Sequence, residues 1–220
     1  PTSYEFGTEP MGQQREALDH MWGLKNSALF MEMGTGKTKT AIDWSMAKFL
    51  HNEADWAVIF CPTAVRKTWR RELQKHLPGR TFNTFVVADM DSKPNQKRMA
   101  AVMADPNPTY FIVGIESVSG GLGKGNTYKA VLDIVTQSDR RHLAVVDESH
   151  KCKNPSAVRS QNVANLLQNA TTKTIMTGSP IAKNPLDLFM QFELLDPEIL
   201  GFGDYYSFRN RYAVMGGYEN

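Results

Sequence analysis

Residues 33–38 read Met-Gly-Thr-Gly-Lys-Thr, and they follow the apolar segment Ser-Ala-Leu-Phe-Met at residues 27–31. The pattern predicts a short buried strand, a glycine-rich turn and the start of a helix. The backbone N–H groups of such a turn and the N-terminus of the helix bind phosphate oxygens. Lys37 can then reach the β- and γ-phosphates of a nucleotide, and the Thr38 hydroxyl is placed to ligate Mg²⁺. This segment therefore predicts a binding site for a nucleoside triphosphate.

One position departs from the usual pattern of this turn, G-x-x-x-x-G-K-[ST], because Met31 stands where the first glycine is expected. A G-x-G-K-T run alone could be an ordinary turn and helix cap. A second segment favours the nucleotide site, since an apolar strand ends just before Asp147 and Glu148. Such a pair supplies a magnesium partner, here Asp147, and a residue that polarises the attacking water, here Glu148. We therefore expect Lys37, Asp147 and Glu148 to be the catalytic residues.

Helices and short apolar strands are expected to alternate along the whole chain. The strands are expected near residues 27–31, 56–61, 82–88, 110–113, 143–146 and 174–177. Strict alternation predicts an α/β fold with a mostly parallel central sheet flanked by helices. The glycine-rich segment 120–126 is expected to be a mobile loop and not a second phosphate turn, because Gly125 replaces the Ser or Thr that would hold magnesium.

Composition limits the classes of function. The chain has 220 residues, of which 41% are hydrophobic, and a formal net charge of +2. This charge does not by itself indicate nucleic acid, so a nucleic-acid surface would have to be a local patch. Cys61 and Cys152 form no C-x-x-C pair, which argues against a zinc site or a disulfide framework. No apolar stretch approaches the roughly 18 residues of a membrane helix, so we expect no membrane partner and a cytoplasmic location.

Several segments resemble superfamily 2 helicases and, among them, the Swi/Snf-like ATPases. Residues 32–38 look like the family's D-E-M-G-L-G-K-T, with Met31 in place of Asp, which accounts for the missing first glycine. Three further segments resemble motifs Ia, II and III of the family: residues 60–65, 146–154 and 176–184. The resemblance runs in order from about Gln13 to Tyr212, and it implies a three-layer RecA-like P-loop NTPase domain that binds ATP and Mg²⁺.

The resemblance also implies roles for single residues. The nucleotide-binding residues would be Gln14, Met33, Gly34, Thr35, Gly36, Lys37, Thr38 and Lys39, with Thr38 and Asp147 holding Mg²⁺. Gln14 corresponds to the glutamine that reads adenine, with Gln13 or a plain helix-start glutamine as alternatives. His150 resembles the residue that couples the nucleotide site to motif III, which contains Thr177, Gly178 and Ser179. A purely structural histidine is the alternative.

A basic helix is predicted after Pro62. The resemblance puts motif Ia against the nucleic-acid backbone, and Thr63 and Lys67 are the expected contacts. Such contacts bind phosphates without reading the base sequence. The expected partner is DNA, with duplex DNA first and RNA as an alternative. The basic strip could also be a solvated helix face. Trp69, on the same helix, is expected to anchor it in the core.

Motors of this family have two RecA-like domains, and the second carries an arginine that stabilises charge on the γ-phosphate. No Q-x-x-G-R-x-x-R run occurs in this sequence. Residues 1–220 are therefore expected to be a single N-terminal RecA-like domain, weak alone, that works with a C-terminal RecA-like domain of the same protein. The expected function is ATP hydrolysis that drives movement along, or remodelling of, duplex DNA. The expected location is the cytoplasm, with a bacterial or phage origin, or the nucleus of a eukaryote. The alternatives are a free-standing nucleotide-dependent nucleic-acid-binding module without turnover and the motor of a restriction system.

Overall fold

Six strands form one central sheet in the computed structural model, which describes residues 4–213. The strands are β1 (Asn26–Phe30), β2 (Trp56–Cys61), β3 (Asn83–Val87), β4 (Thr109–Gly114), β5 (His142–Asp147) and β6 (Thr172–Thr177). Their order is β1-β6-β5-β2-β4-β3, and every neighbouring pair is parallel. The expected parallel sheet is therefore confirmed. The ends of the predicted domain, residues 1–3 and 214–220, lie outside the described residues.

Helices cover both faces of the sheet. They are α1 (Gly12–Trp22), α2 (Lys37–Leu50), α3 (Arg66–His76), α4 (Lys93–Ala104), α5 (Asn126–Val135), α6 (Val158–Leu167), α7 (Phe189–Leu195) and α8 (Tyr205–Tyr212). Side chains of α1, α2 and α3 pack in one hydrophobic cluster, and side chains of α4 to α8 pack in the other. This arrangement confirms the three-layer α/β fold. No helix among residues 4–213 is long and apolar enough to cross a membrane.

Strand β2 lies in the middle of the sheet and shows why these short runs become strands. All six of its residues are buried, as is typical of a parallel strand covered on both faces. Alternate side chains point to opposite faces. Ala57 and Ile59 accordingly join the cluster under α1 to α3, and Val58 and Phe60 join the opposite cluster.

The glycine-rich segment 120–126, expected to be mobile, is tied to the domain by the fully buried side chain of Asn162 on α6. Its Nδ2 donates to the carbonyls of Val118, at 2.6 Å, and Gly121, at 3.0 Å. Its Oδ1 accepts from the N–H of Gly123 at 2.9 Å. Because Asn162 lies about 40 positions from the loop in the chain, no local pattern in the sequence predicts these hydrogen bonds.

Because all strands run in the same direction, their carboxyl ends meet at one edge of the sheet, where open α/β sheets bind ligands. The phosphate turn follows β1, and Glu148 and Gly178 follow β5 and β6, which are the next two strands in the sheet. Thr63 follows β2, and Glu116 follows β4. The expected site residues therefore converge here, although they are spread over more than half of the chain.

Candidate nucleotide site

The phosphate turn connects β1 to α2. Gly34 and Gly36 have φ angles of 81° and 83°, in the left-handed region that glycine adopts without strain. A Cβ atom at Gly36 would also overlap the side-chain amide of Gln14. Helix α2 begins at Lys37, so the free N–H groups of its first turn face the glycine-rich turn. The geometry is that of an anion-binding turn.

Lys37 is buried and lies across this turn. Its Nζ donates to the carbonyl oxygens of Met31 at 2.8 Å and Glu32 at 2.9 Å. These contacts hold the ammonium group at the mouth of the turn, where it can exchange a carbonyl for a phosphate oxygen. Of the other turn residues, Thr35 donates its hydroxyl to the Glu32 carbonyl at 2.7 Å. Lys39 is different, because its ammonium group pairs with Asp43 at 2.5 Å inside α2, which leaves only its backbone to face a nucleotide.

Asp147 ends β5 and is 8% exposed. Its Oδ2 accepts a hydrogen bond from Trp69 Nε1 at 2.9 Å. The pKa of the Asp147 carboxyl is raised to about 6, first by burial and then by the charge of Glu148, against the opposing effects of the Trp69 N–H, the Glu148 N–H and Lys37. A buried carboxylate in this setting is stabilised when a cation binds to it.

Glu148 has a φ angle of 52° and a ψ angle of 49°, a left-handed conformation that costs a non-glycine residue on the order of 1–2 kcal/mol. Strain of this kind concentrates at functional sites, where the surrounding structure holds it. Its carboxylate accepts a hydrogen bond from the Thr177 hydroxyl at 3.2 Å. The strained turn aims Glu148 away from its own strand and toward β6.

His150, Thr177 and Ser179 form one hydrogen-bonded group with Glu148. His150 Nδ1 lies 2.8 Å from Thr177 Oγ1 and 3.1 Å from Glu148 Oε2. The N–H of Ser179 donates to the same Thr177 hydroxyl at 3.1 Å. Whether His150 Nδ1 donates to the Thr177 hydroxyl or accepts from it depends on the tautomer of the ring. Two of the expected coupling residues, His150 and Thr177, are therefore in direct contact with the expected catalytic glutamate.

Gly178 and Met33 bring the phosphate turn against motif III. A Cβ atom at Gly178 would lie 3.2 Å from Met33 Cγ and 3.6 Å from the carbonyl oxygen of Met31. Glycine allows this close approach of two backbones. Met33 itself is 85% exposed, so it flanks the turn from outside.

Gln14 lies at the other side of the turn and is almost completely buried. Its Oε1 accepts from the N–H of Met11 at 2.9 Å, and its Nε2 donates to the carbonyl of Gly36 at 3.3 Å. One N–H and one lone pair of the amide stay free for a ligand. Gln14 thus supports the turn directly, whether or not it also reads adenine.

A cavity of about 620 Å³ at this edge of the sheet is lined by most of the predicted nucleotide-binding residues. Its lining includes Gln14, Met33, Gly34, Gly36, Lys37, Thr38, Lys39, Asp147 and Glu148. Thr38 and Asp147 also line an adjoining cavity of about 420 Å³. Hydroxyl and carboxylate oxygens are hard ligands of the type that Mg²⁺ prefers, and one or two protein ligands suffice when phosphates supply the others. The residues present therefore fit a nucleotide-bound magnesium ion.

The two expected nucleic-acid contacts lie beside this site on one segment. Thr63 is in a 3₁₀ turn, Thr63–Val65, that leads into α3, and Lys67 is exposed one turn later. Arg70, Arg71 and Lys75 are also exposed along α3. Trp69 is buried, which confirms its expected place in the core. The N–H and the hydroxyl of Thr63 both donate to Glu116 Oε2 at 2.8 Å, so Thr63 already binds one anionic group.

Two residues that were not predicted to belong to the site support it. Gln191 on α7 is fully buried, and its Oε1 accepts from the Ser149 hydroxyl at 2.8 Å. Its Nε2 donates to the carbonyl of Pro180 at 2.7 Å. This amide therefore fastens motif II to motif III. The second residue is Trp69, which donates a hydrogen bond to Asp147. No sequence pattern predicts either contact, because a glutamine or a tryptophan on a helix has no spacing that indicates its partner.

The phosphate turn follows β1, and the paired carboxylates stand at the end of β5. A hydrogen bond links one of these carboxylates to β6, which lies between the two strands. Such an arrangement defines the site of a P-loop NTPase. The SNF2-related domain model matches residues 13–215 of the sequence. This chain therefore belongs to the SNF2-related domain family, and the resemblance to Swi/Snf-like ATPases is confirmed. Members of this family use nucleotides.

Curated relatives share a quarter to a third of the residues. The human DNA annealing helicase and endonuclease ZRANB3 is 28% identical over 182 residues, which cover 83% of this chain and 15% of that protein. Protein CHROMATIN REMODELING 19 of Arabidopsis thaliana is 25% identical over 179 residues, 80% of this chain and 23% of that protein. The chain thus spans less than a quarter of the length of these two relatives.

Solved structures support the fold. The Sulfolobus solfataricus SWI2/SNF2 ATPase core in complex with dsDNA has a TM-score of 0.70 and 21% identity, over 97% of this chain and 41% of that chain. A second structure, the Sulfolobus solfataricus SWI2/SNF2 ATPase core domain, has a TM-score of 0.67 and 22% identity, over 97% of this chain and 40% of that chain. These matches confirm the RecA-like α/β fold.

Proposed function

We propose that this chain is the ATP-binding N-terminal motor domain of a DNA-dependent ATPase that moves along or remodels duplex DNA. One observation carries the proposal. Lys37, the Asp147–Glu148 pair and the His150–Thr177 link come from three adjacent strands and meet at one edge of the sheet. A nucleotide site connected by hydrogen bonds to motif III is what a motor needs and a simple nucleotide-binding module does not.

In this proposal the residues of the chain divide the work. Lys37 and the backbone of residues 34–38 bind the phosphates of ATP. Thr38 and Asp147 hold Mg²⁺, which would neutralise charge on the β- and γ-phosphates. Glu148 accepts hydrogen bonds from the attacking water and orients it, as a general base does. His150 and Thr177 keep the Glu148 carboxylate in place, so a movement of motif III would change the position of that carboxylate.

The second wall of the site would come from a C-terminal RecA-like domain of the same protein. An arginine from that domain would stabilise the charge that develops on the transferred phosphate. We therefore expect this domain alone to bind nucleotide weakly and to hydrolyse it slowly.

Duplex DNA is the proposed nucleic-acid partner. The relatives support it, since one is a DNA annealing helicase and one similar solved structure is a complex with dsDNA. Thr63 and Lys67 are the proposed phosphate contacts, because both lie at the same sheet edge at the start of an exposed basic helix. RNA shares the phosphate chemistry, so it is an outcome of the test.

The test is the ATPase rate of the native protein that carries this chain, measured without nucleic acid and with duplex DNA, single-stranded DNA or RNA. We expect the largest stimulation with duplex DNA. Preferential stimulation by RNA would replace the partner, and equal rates in all four conditions would contradict the motor. Binding of ATP without any turnover would favour a nucleotide-dependent binding module.

A further inference from the structure

Trp69, on α3, forms a hydrogen bond with one of the predicted catalytic residues. It is 2% exposed, and its Nε1 donates to Asp147 Oδ2 at 2.9 Å. It also lines the cavity of about 420 Å³ together with Thr38, Asp147 and Glu148. The indole therefore lies directly beside the proposed magnesium ligands.

Burial alone does not explain this hydrogen bond. Trp44 and Trp56 are also almost completely buried, and within residues 4–213 their Nε1 atoms have no hydrogen-bond partner. The core of this domain thus accepts a buried indole N–H without an acceptor. In contrast to these two indoles, the indole of Trp69 on α3 donates to the Asp147 carboxylate of the nucleotide site.

The bond limits what Asp147 can do. With Oδ2 held by Trp69, the carboxylate cannot turn freely about its side-chain bond. Groups that hydrogen-bond to a metal-binding carboxylate fix its orientation, and their loss typically costs about 10- to 100-fold in metal affinity or activity. The donor here comes from the same helix as Lys67, so one helix carries both a proposed phosphate contact and the support for the magnesium site.

We propose that Trp69 is a positioning residue, which holds the Asp147 carboxylate in the orientation that binds nucleotide-bound Mg²⁺. This inference rests on the proposed function, because it needs Asp147 to be a magnesium ligand. The role requires the indole N–H and not only the aromatic ring. A residue that merely packs α3 on the sheet would act through the ring alone.

The first experiment compares Trp69→Phe with Trp56→Phe in the full chain. Both changes remove one buried indole N–H and keep an aromatic ring, but only the first removes a bond to Asp147. The affinity for a fluorescent ADP analogue is measured with Mg²⁺ and with EDTA, and the gain due to Mg²⁺ is compared. We expect Trp69→Phe to reduce this gain by about 10-fold or more and Trp56→Phe to change it less than about twofold.

The affinity in EDTA should be similar for all three proteins, because Lys37 and the phosphate turn are unchanged. A weaker affinity of Trp69→Phe both with Mg²⁺ and in EDTA would mean a packing role and would overturn the inference. An equal gain for the two variants would also overturn it. No gain from Mg²⁺ in the unmodified protein would instead contradict the proposed nucleotide site itself.

A second measurement does not depend on the folding of Trp69→Phe. The chain has four tryptophans, so phenylalanine variants of the other three assign the indole N–H signal of Trp69 in an NMR spectrum of the ¹⁵N-labelled protein. Adding Mg²⁺ to the ADP-bound protein should shift the Trp69 signal and leave the Trp56 signal in place. A Trp69 signal that does not move would contradict the inference.

Discussion

Glu116 occupies the hydrogen-bond donors that Thr63 would offer to a nucleic-acid phosphate. Its Oε2 accepts from the N–H and the hydroxyl of Thr63, both at 2.8 Å, and its Oε1 accepts from Lys151 Nζ at 3.2 Å. Burial alone would raise the pKa of the Glu116 carboxyl, but these three donors and the backbone N–H of Glu116 itself lower it to about 2. Replacing Glu116 with alanine should therefore free Thr63 and strengthen the binding of duplex DNA.

The expected size follows from these contacts. A hydrogen bond to a charged group contributes about 1.5–3 kcal/mol when it is buried, whereas an exposed ion pair contributes about 0–1 kcal/mol. The Glu116 side chain is 42% exposed, so solvent screens the interaction and we take about 1–2 kcal/mol in total. Since about 1.4 kcal/mol is a tenfold change in affinity, Glu116→Ala should bind duplex DNA about 5- to 30-fold more tightly.

The assay is the fluorescence anisotropy of a labelled duplex at several salt concentrations. Glu198→Ala is the matched control, because it removes the same charge from an exposed loop. Among residues 4–213 the Glu198 carboxylate forms no hydrogen bond. The double variant Thr63→Ala, Glu116→Ala should lose part of the gain, because the freed hydroxyl would be gone while the backbone N–H stays. Equal gains in Glu116→Ala and Glu198→Ala, or a gain that is undiminished in the double variant, would refute the reasoning.

The pH dependence of this gain follows from the lowered pKa. The Glu116–Thr63 interaction is fully present when the pH is above 4.5, the ordinary pKa of glutamate, and it is lost as the pH falls through about 2. The gain of Glu116→Ala should therefore be constant between about pH 6 and pH 9. A gain that changes tenfold across this range would show that another group controls the contact.

Three further predictions concern the turn and the core. Lys37→Ala should abolish the thermal stabilisation by ATP, since the ammonium group that reaches the phosphates is lost; an unchanged shift would contradict the phosphate site. Gly36→Ala should lower the melting temperature more than Gly34→Ala, because both positions have a positive φ but only a Cβ at Gly36 meets a neighbour, Gln14. Equal losses would show that backbone strain alone decides. Asn162→Ala should lower the free energy of unfolding by about 2–4 kcal/mol in urea titrations, because the buried side chain loses three hydrogen bonds. The exposed Asn165→Ala should have little effect, and similar values for both would mean that the loop 120–126 is not held to the domain by Asn162.

The strands were predictable because each is a short apolar run bounded by polar or turn residues. Strand β2 has the bounds that the sequence indicates, Trp56–Cys61, and helix α2 begins at Lys37, directly after the glycine-rich turn as predicted. Helix α5 begins at Asn126, inside the segment 120–126 that was expected to be a loop. Element ends of this kind depend on local capping and not on hydrophobic periodicity.

The contacts that organise the site were not predictable in the same way. Asp147 and Trp69 are 78 residues apart, and Ser149 and Gln191 are 42 apart. Each of these residues belongs to an element whose type the sequence indicates, but nothing local shows which side chain faces which. The Glu116 carboxylate on Thr63 is a further case, because it joins the ends of β4 and β2.

The α/β class and the phosphate-binding and carboxylate residues of the proposed site could be predicted from the amino-acid sequence. These features depend on patterns within a few residues, such as glycine spacing and apolar runs. The strand order β1-β6-β5-β2-β4-β3, and with it the contact between Glu148 and Thr177, became visible in the folded structure. The same holds for the contacts of Trp69 and Glu116. Their hydrogen bonds form between distant segments, and such partners are set by how whole helices and strands pack together, which no local spacing encodes.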